Sequence, residues 1–264
     1  MKKLLNITTV NDLSIPLFLT QKIKQKLVVD FCFFHESNQE VEQKLSSGQY
    51  DYIYFKDPFN YSYTKENIED KFEIVMKNLG SSYLIDNLKN INDVYLEDKW
   101  HQYQLFNELM PQTRLLTNLQ EINNPGSITK KRISSRAKGI IFNSKDFEGD
   151  ELSEYIIQEK IKIDKEYRVY VIFDQIINKG SIRRSRTNDI KVKIVGVEEL
   201  LEDVMSYTRQ VIEKNKFDFI GLDIARSGDK LYLLEINRSC LFNGYFRESG
   251  ENLAEPFIDG LLQK

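Results

Sequence analysis

Hydrophobic and polar positions alternate most regularly in the stretch FDFIGLDIARSGDKLYLLEIN, which runs from Phe217 to Asn237. Two apolar runs, Phe219–Ala225 and Leu231–Asn237, flank Ser227-Gly228-Asp229, and glycine in so short a connection favours a turn. We therefore predict a β-hairpin with a three-residue loop. Because side chains alternate along a strand, this register gives the hairpin one wholly apolar face. That face comprises Ile220, Leu222, Ile224, Tyr232, Leu234 and Ile236.

The opposite face of the predicted hairpin carries Asp223, Glu235 and Asn237. In this register Asp223 faces Leu233, and Gly221 faces Glu235 and leaves room for a ligand to approach. Two carboxylates and a carboxamide are hard oxygen ligands that suit Mg²⁺, with Mn²⁺ as the alternative. A solvated sheet face with incidental acidic residues is the other interpretation, and the hairpin alone does not decide between them.

The first 92 residues alternate apolar strand-like runs with amphipathic helical ones. LLNITTV, VVDFCFF, DYIYF and SYLID are typical of strands, and SIPLFLTQKIKQKL, NQEVEQKLSSG and KENIEDKFEIVMKNLG are typical of helices. Such alternation predicts a parallel α/β layer. Neither GxGxxG nor GxxxxGK occurs, so we do not expect this layer to bind a mononucleotide through either loop.

From about residue 110 onward, strand-like runs no longer alternate strictly with helices, which predicts an antiparallel α+β region. Before it, Asn92 or Asp93 is expected to cap one helix, DVYLEDKWHQYQLFNELM. YIIQEKIKI over 155–163 and EYRVYVIF over 166–173 are predicted strands. GVEELLEDVMSYTRQVIEKN is predicted to be one long amphipathic helix, and ENLAEPFIDGLL a last helix.

Composition narrows the class of protein. The chain has 264 residues, 41% of them hydrophobic, with a net charge of −3, so nothing indicates a nucleic-acid-binding surface. Its two cysteines and two histidines suggest neither a disulfide framework, nor a histidine zinc site, nor a serine–histidine triad. Polar residues interrupt the apolar N-terminal stretch, so we expect no signal peptide, no membrane span and a cytoplasmic location.

Several segments in order resemble the ATP-grasp superfamily, specifically its glutamate-ligase-like, carboxylate–amine ligase branch. The most specific piece is LYLLEIN after GLDI, which corresponds to the metal-binding hairpin and implies that Asp223, Glu235 and Asn237 hold Mg²⁺. The resemblance implies an N-terminal α/β domain over 1–92, a central ATP-grasp lobe with a flap loop over 93–157, and a C-terminal lobe over 158–264. Antiparallel sheets of the two lobes would cradle ATP.

SITKKRISSRAKGII resembles the lysine-bearing strand and small-residue flap loop of that superfamily. The match places Lys130 at the phosphate-binding lysine, with Lys131 as the alternative, and Lys99 at a second lysine on the preceding helix. A loop that closes over a triphosphate needs small residues, so that backbone N–H groups can approach it. The flap residues in this match are Ser134, Ser135, Ala137 and Gly139.

IIQEKI resembles the hinge between the ATP-grasp lobes. The resemblance implies that adenine bonds the backbone at Lys160 and Ile161, that Glu159 lies near its exocyclic amine, and that Glu166 binds the ribose. In GSIRRSRTN an arginine would hold the transferred phosphoryl group or the substrate carboxylate, because its planar fork matches either anion. The candidates for this catalytic role are Arg183 and Arg184 from this segment and Arg168 from EYRVYVIF.

The implied activity is ATP-dependent carboxylate–amine ligation. Phosphorylation of a carboxylate would give an acyl phosphate, which an amine attacks to form an amide or peptide bond. The carboxylate substrate could be an amino acid, a peptide or a protein, and a homo-oligomer is possible. Two alternatives stay open, an ATP-grasp kinase and a non-catalytic nucleotide-binding regulatory protein.

Overall fold

The computed structural model describes residues 1–56, 65–134, 139–149, 151–185 and 192–264. Within these ranges the strands form a four-stranded, a second four-stranded and a six-stranded sheet. The first lies in the N-terminal part of the chain, the second between residues 113 and 159, and the third between residues 165 and 237. The sheets follow the order of the predicted division at 92 and 157, which stays a prediction.

The N-terminal sheet is parallel, with the strand order β2-β1-β3-β4, as the alternating pattern predicts. Its helices differ in one place. Thr20 adopts an extended conformation with ψ 151°, so the single helix expected over 14–27 is two short ones. The elements are β1 (Lys3–Thr8), α1 (Ile15–Phe18), α2 (Gln21–Lys24), β2 (Val28–Phe33), α3 (Asn38–Gly48), β3 (Tyr52–Phe55), α4 (Lys65–Lys77) and β4 (Tyr83–Leu84).

The segment between the first two sheets is broken rather than one helix. Its α-helices, α5 (Ile91–Val94) and α6 (Lys99–Phe106), are separated by a 3₁₀ turn over Tyr95–Glu97. The Asp98 side chain accepts a hydrogen bond from the Trp100 N–H and caps α6. The expected cap at 92 or 93 is therefore wrong for the helix that carries Lys99, because Asp98 restarts the helix after the turn.

The middle sheet is antiparallel, with the order β5-β8-β6-β7. It consists of β5 (Thr113–Leu115), β6 (Ser127–Lys131), β7 (Ile140–Ile141) and β8 (Tyr155–Glu159). The strand expected over 155–163 ends at Glu159, because the chain leaves the sheet there and enters the connection to the third sheet.

The third sheet has the order β12-β11-β9-β13-β14, and β10 pairs with β9. All of its pairings are antiparallel, as predicted for this half of the chain. Residues 196–199 were expected to begin a helix, but they pair with β11 as the end of β12. The elements are β9 (Lys165–Ile172), β10 (Gln175–Ile176), β11 (Lys179–Ser185), β12 (Val192–Glu199), α7 (Glu202–Lys214), β13 (Phe219–Ser227), β14 (Lys230–Asn237), α8 (Asn243–Ser249) and α9 (Ala254–Leu261).

The hairpin of β13 and β14 forms, but its expected register is wrong. Ser227 pairs with Lys230, which leaves a two-residue loop in which Gly228 has φ +58°. A β-bulge then shifts the register, so that Asp223 faces Glu235. With a two-residue loop and no bulge, Asp223 would lie on the opposite face from Glu235. The extra residue of the bulge returns Asp223 and Glu235 to the same face. The core-facing residues of β14 are therefore Leu231, Leu233 and Ile236. Leu231 and Leu233 take the places expected for Tyr232 and Leu234, and Ile236 faces the core as expected.

One apolar core joins the N-terminal sheet to the third sheet. Phe18 and Tyr54 from the first region pack with Phe219, Phe242 and Phe257 from the second. A second core lies between the third sheet and helices α6 and α7. No helix in the described part of the chain is both long enough and apolar enough to cross a membrane.

Candidate active site

The candidate site is centred on Asp223, which lies beside Arg168 on the neighbouring strand β9. Arg168 donates two hydrogen bonds to it, from Nε to Oδ1 at 2.6 Å and from Nη2 to Oδ2 at 2.7 Å. Arg183 pairs with both Asp223 and Glu166, at 2.9 Å from Nη1 to the Glu166 Oε1. These contacts join two predicted substrate-binding arginines to a predicted metal ligand.

Burial and the two guanidinium groups act oppositely on the carboxylates of this cluster. Burial opposes the ionisation of Asp223, but Arg168 and Arg183 overcome it and lower the pKa of Asp223 to about 2. Burial raises the pKa of Glu166, with a further contribution from Asp223, although Arg183 acts against it. Asp223 is therefore an anion at neutral pH.

Glu235 and Asn237 lie on the same side of β14 as the Asp223 carboxylate. The Asn237 Nδ2 is 3.5 Å from the Asp223 Oδ2, and the Lys99 Nζ is 3.2 Å from the Glu235 Oε1. Asp223 faces Glu235 across the strand pair, and Gly221 faces Asn237. The predicted convergence of three oxygen-bearing side chains is thus present, in a register other than the one expected.

This donor set matches the preference of Mg²⁺ for hard oxygen ligands. Within the described residues, no group of three or more histidine, cysteine, aspartate or glutamate side chains is arranged to hold a metal ion. The candidate set is therefore two carboxylates and one amide, which leaves coordination positions for phosphate oxygens and water. Both carboxylates also contact a cationic side chain.

Gly221 serves a different purpose from the one expected. A Cβ atom there would lie 2.8 Å from the Cys240 Cβ and 3.4 Å from the Arg168 Cδ. The space above this glycine is therefore filled by Cys240 and by the stem of Arg168, and is not open to a ligand. Glycine at this position lets Arg168 lie flat against β13 and reach Asp223.

Lys130 projects from β6 toward the same cluster. Its Nζ donates to the Gln158 Oε1 at 2.7 Å, and burial, together with the nearby charge of Lys99, lowers the pKa of Lys130 to about 8. Lys131 pairs instead with Glu154, at 3.1 Å between Nζ and Oε2. Of the two lysines, Lys130 is the one that the structure brings toward Lys99.

Lys99 also contacts the base of the flap loop. Its Nζ donates to the Ser134 carbonyl oxygen at 2.8 Å and lies 3.3 Å from the Ser134 hydroxyl. Arg132 pairs with Asp98, at 2.6 Å from Nη2 to Oδ2, and its carbonyl accepts the Lys99 N–H at 3.1 Å. Ser135 and Ala137 of the predicted flap lie outside the described residues.

At the predicted hinge, part of the backbone is already hydrogen bonded. The Glu159 N–H donates to the Gln112 carbonyl at 2.8 Å, and the Lys160 N–H donates to the Gly126 carbonyl at 2.9 Å. A contact between adenine and the Lys160 backbone would therefore use its carbonyl group. The Glu159 side chain is exposed, and Ile161 is half-buried.

Among the predicted arginines, Arg168 and Arg183 are in the cluster, whereas the Arg184 side chain lies outside the described residues. Sequence reasoning missed Gln158, which connects Lys130 to the Thr113 hydroxyl through a 2.9 Å hydrogen bond. It also missed the Asp98–Arg132 pair. An aspartate directly before a helix is a capping signal and could have revealed Asp98.

Comparison with known proteins identifies the fold. The chain resembles the ATP-grasp ligase PsnB solved with a minimal precursor, with TM-score 0.71 and 15% identity over 100% of this chain and 99% of PsnB. It also resembles a RiPP-associated ATP-grasp ligase of Chryseobacterium gregarium in complex with ADP and a leader and core peptide, with TM-score 0.65 and 19% identity over 99% and 96% of the two chains.

A third similar structure is the macrocyclase MdnC of Microcystis aeruginosa MRC bound with precursor peptide MdnA, with TM-score 0.65 and 15% identity over 99% of this chain and 100% of MdnC. No family model matches the sequence, and no curated protein matches it. The chain therefore has the ATP-grasp fold, as the motifs predict, with an N-terminal α/β layer and antiparallel sheets in the rest of the molecule.

Proposed function

We propose that this protein is an ATP-dependent carboxylate–amine ligase that acts on a peptide substrate. The observation that carries the proposal is the convergence of Lys99, Glu235 and Asp223, with Arg168 and Arg183 behind them, on one side of an ATP-grasp sheet. A site with both oxygen ligands for a metal and cations for phosphate suits phosphoryl transfer.

ATP is expected between the second and third sheets. Lys130 and Lys99 would contact the phosphates, the backbone at 160–161 would contact adenine, and Glu166 would contact the ribose. Asp223, Glu235 and Asn237 would hold Mg²⁺, which when bound offsets phosphate charge during transfer. PsnB has been solved with Mg and ADP, which supports this choice of ligands.

The proposed chemistry follows from the groups of the cluster around Asp223. A carboxylate oxygen attacks the γ-phosphorus, the bond to ADP breaks, and an acyl phosphate forms. An amine then attacks the acyl carbon, phosphate leaves, and the amine loses a proton. We expect Arg183 to stabilise the acyl phosphate and the oxyanion, because a guanidinium fork suits phosphoryl and carboxylate oxygens and Arg183 belongs to the cluster around Asp223.

A peptide substrate is supported by the similar proteins, which were solved with precursor peptides. The test is phosphate release with Mg·ATP against a panel of acidic and lysine-containing peptides, followed by mass spectrometry. Ligation within one peptide removes one water from its mass, whereas kinase activity adds a phosphate group. ATP binding without either product across the panel would favour the non-catalytic alternative.

A further inference from the structure

Strand β14 lies at an edge of the third sheet, so the backbone groups along its outer side have no neighbouring strand among the residues that the structure describes. Unpaired backbone groups in a buried position are costly and need other partners. The polypeptide from Leu96 to Leu109, which includes α6, lies along this edge. The Leu233 N–H, for example, donates to the Leu109 carbonyl at 2.8 Å.

Gln102 provides the most complete of these contacts. Its side chain is fully buried, its Oε1 accepts the Ile236 N–H at 2.8 Å, and its Nε2 donates to the Ile236 carbonyl at 2.7 Å. The same Nε2 donates to the Leu96 carbonyl at 2.7 Å. One carboxamide thus replaces a neighbouring strand at a single residue of β14.

That residue separates Glu235 from Asn237. Gln102 also follows Lys99 by three positions in α6, so the two side chains project from nearly the same face of the helix. The contact that fixes β14 therefore also fixes the Lys99 Nζ at 3.2 Å from Glu235. Just beyond, the Glu97 Oε1 accepts the Arg238 N–H at 3.0 Å and extends the attachment past Asn237.

We propose that Gln102 is a positioning residue for the metal site. It holds the β14 backbone between two of the metal ligands and keeps the Lys99 helix in register with them. The inference rests on the proposed function, because the ligands it positions are those assigned to Mg²⁺ there. Loss of a group bonded directly to a metal ligand typically lowers metal affinity by about 10–100-fold. Because Gln102 bonds the backbone between two ligands, we expect an effect at the lower end of that range.

Tyr207 offers a matched control. Its hydroxyl accepts the Leu233 N–H at 2.9 Å and donates to the Leu109 carbonyl, so it also attaches the edge of β14 to the same segment. It contacts β14 at Leu233, on the other side of the bulge from Glu235. Tyr207→Phe removes an edge contact while leaving the carboxamide at Ile236 in place.

The experiment compares wild type, Gln102→Met and Tyr207→Phe by thermal denaturation and by calorimetric titration with ADP at a series of Mg²⁺ concentrations. Both variants should melt at a lower temperature than wild type. Only Gln102→Met should raise the Mg²⁺ concentration for half-maximal enhancement of ADP binding, by about tenfold or more. ADP affinity without Mg²⁺ should be similar in all three proteins.

An equal Mg²⁺ requirement in Gln102→Met and Tyr207→Phe would overturn the positioning role and leave Gln102 as a structural contact only. If Gln102→Met does not fold, Gln102→Asn retains the amide but is too short to hold both Ile236 groups, and the same shift is expected. Failure of wild type to bind ADP in a Mg²⁺-dependent way would instead refute the proposed function.

Discussion

Two buried charge clusters in this molecule differ in how completely they are balanced. In the N-terminal sheet, Lys56 and Asp12 form an ion pair at 2.8 Å, with side chains 1% and 0% exposed. The Asp12 carboxylate also accepts hydrogen bonds from the Thr8 hydroxyl at 3.0 Å and the Ser14 N–H at 2.8 Å. Every charge there has a fixed partner, which is typical of a structural pair.

The charges of the second cluster, around Asp223, are unbalanced. Among the described residues, four cationic groups surround three carboxylates, so this described set carries an excess positive charge. Positive charge held beside Asp223 and Glu235 is costly to bury unless an anion joins it. We infer that the first cluster stabilises the fold, and the excess positive charge of the second supports the proposal that it binds phosphate. The members of this second cluster are Lys99, Lys130, Arg168, Arg183, Glu166, Asp223 and Glu235.

The largest expected effect is on the free energy of unfolding, and it should distinguish the two clusters. Lys56→Met leaves the Asp12 carboxylate buried without its cation and should lower the free energy of unfolding by about 3–5 kcal/mol. Urea denaturation measures this loss. Lys130→Met is the control, because burial already disfavours the charge of this lysine, so its removal should lower stability by less than the removal of Lys56. Equal destabilisation by both substitutions would show that the clusters do not differ in this way.

The next effect concerns turnover. Glu235→Gln removes a carboxylate ligand but keeps the side-chain volume and an oxygen facing Lys99, so the fold should be retained. Peptide-dependent phosphate release should fall by about 100-fold or more, since loss of a direct ligand exceeds the loss of an outer one. Activity equal to wild type would remove Glu235 from the mechanism.

Much of the fold was accessible from the sequence because its patterns are local. Strand and helix alternation predicts the parallel N-terminal sheet, and the hairpin pattern predicts strands β13 and β14. The hairpin register was wrong for a specific reason. A three-residue loop places Glu235 and Asn237 on the same face as Asp223, and a two-residue loop followed by a bulge does the same. The alternation of side chains therefore cannot distinguish the two hairpins. The bulge falls at the two adjacent leucines, Leu233 and Leu234, where the alternation of apolar and polar residues is interrupted.

Long-range contacts account for the remaining errors. Val197, Leu200 and Val204 have helical spacing, but pairing of Gly196 with Ile182 draws 196–199 into a strand. Likewise, Gln102 looks like a solvent-facing helix residue until the edge of β14 is placed beside it. The roles assigned to ligand-binding residues stay predictions, and the following measurements address them.

A smaller effect is expected at Arg183, which bridges Glu166 and Asp223, two of the three carboxylates of the cluster. Arg183→Ala should lower turnover by about tenfold or more and should lower ADP affinity by less, because Arg183 would reach the nucleotide only through Glu166, the proposed ribose contact. Steady-state kinetics with calorimetry tests this split. Arg209, whose guanidinium pairs with Glu202 on the exposed side of α7, supplies a control in Arg209→Ala. A loss of ADP affinity as large as the loss of turnover would contradict the role.

The smallest effect is a pH dependence that also depends on the unbalanced cluster. Burial lowers the pKa of Lys130 to about 8, from the usual 10.5, so about half of the free protein has lost this proton at pH 8. A bound diphosphate favours the protonated ammonium and raises its pKa, so binding must take up a proton above pH 8. ADP affinity should therefore fall as pH rises, by up to about tenfold between pH 7 and pH 9. Calorimetry in buffers of different ionisation enthalpy measures the proton uptake directly. Lys130→Met should bind ADP more weakly but without this pH dependence, and an unchanged pH profile in that variant would assign the titration to another group.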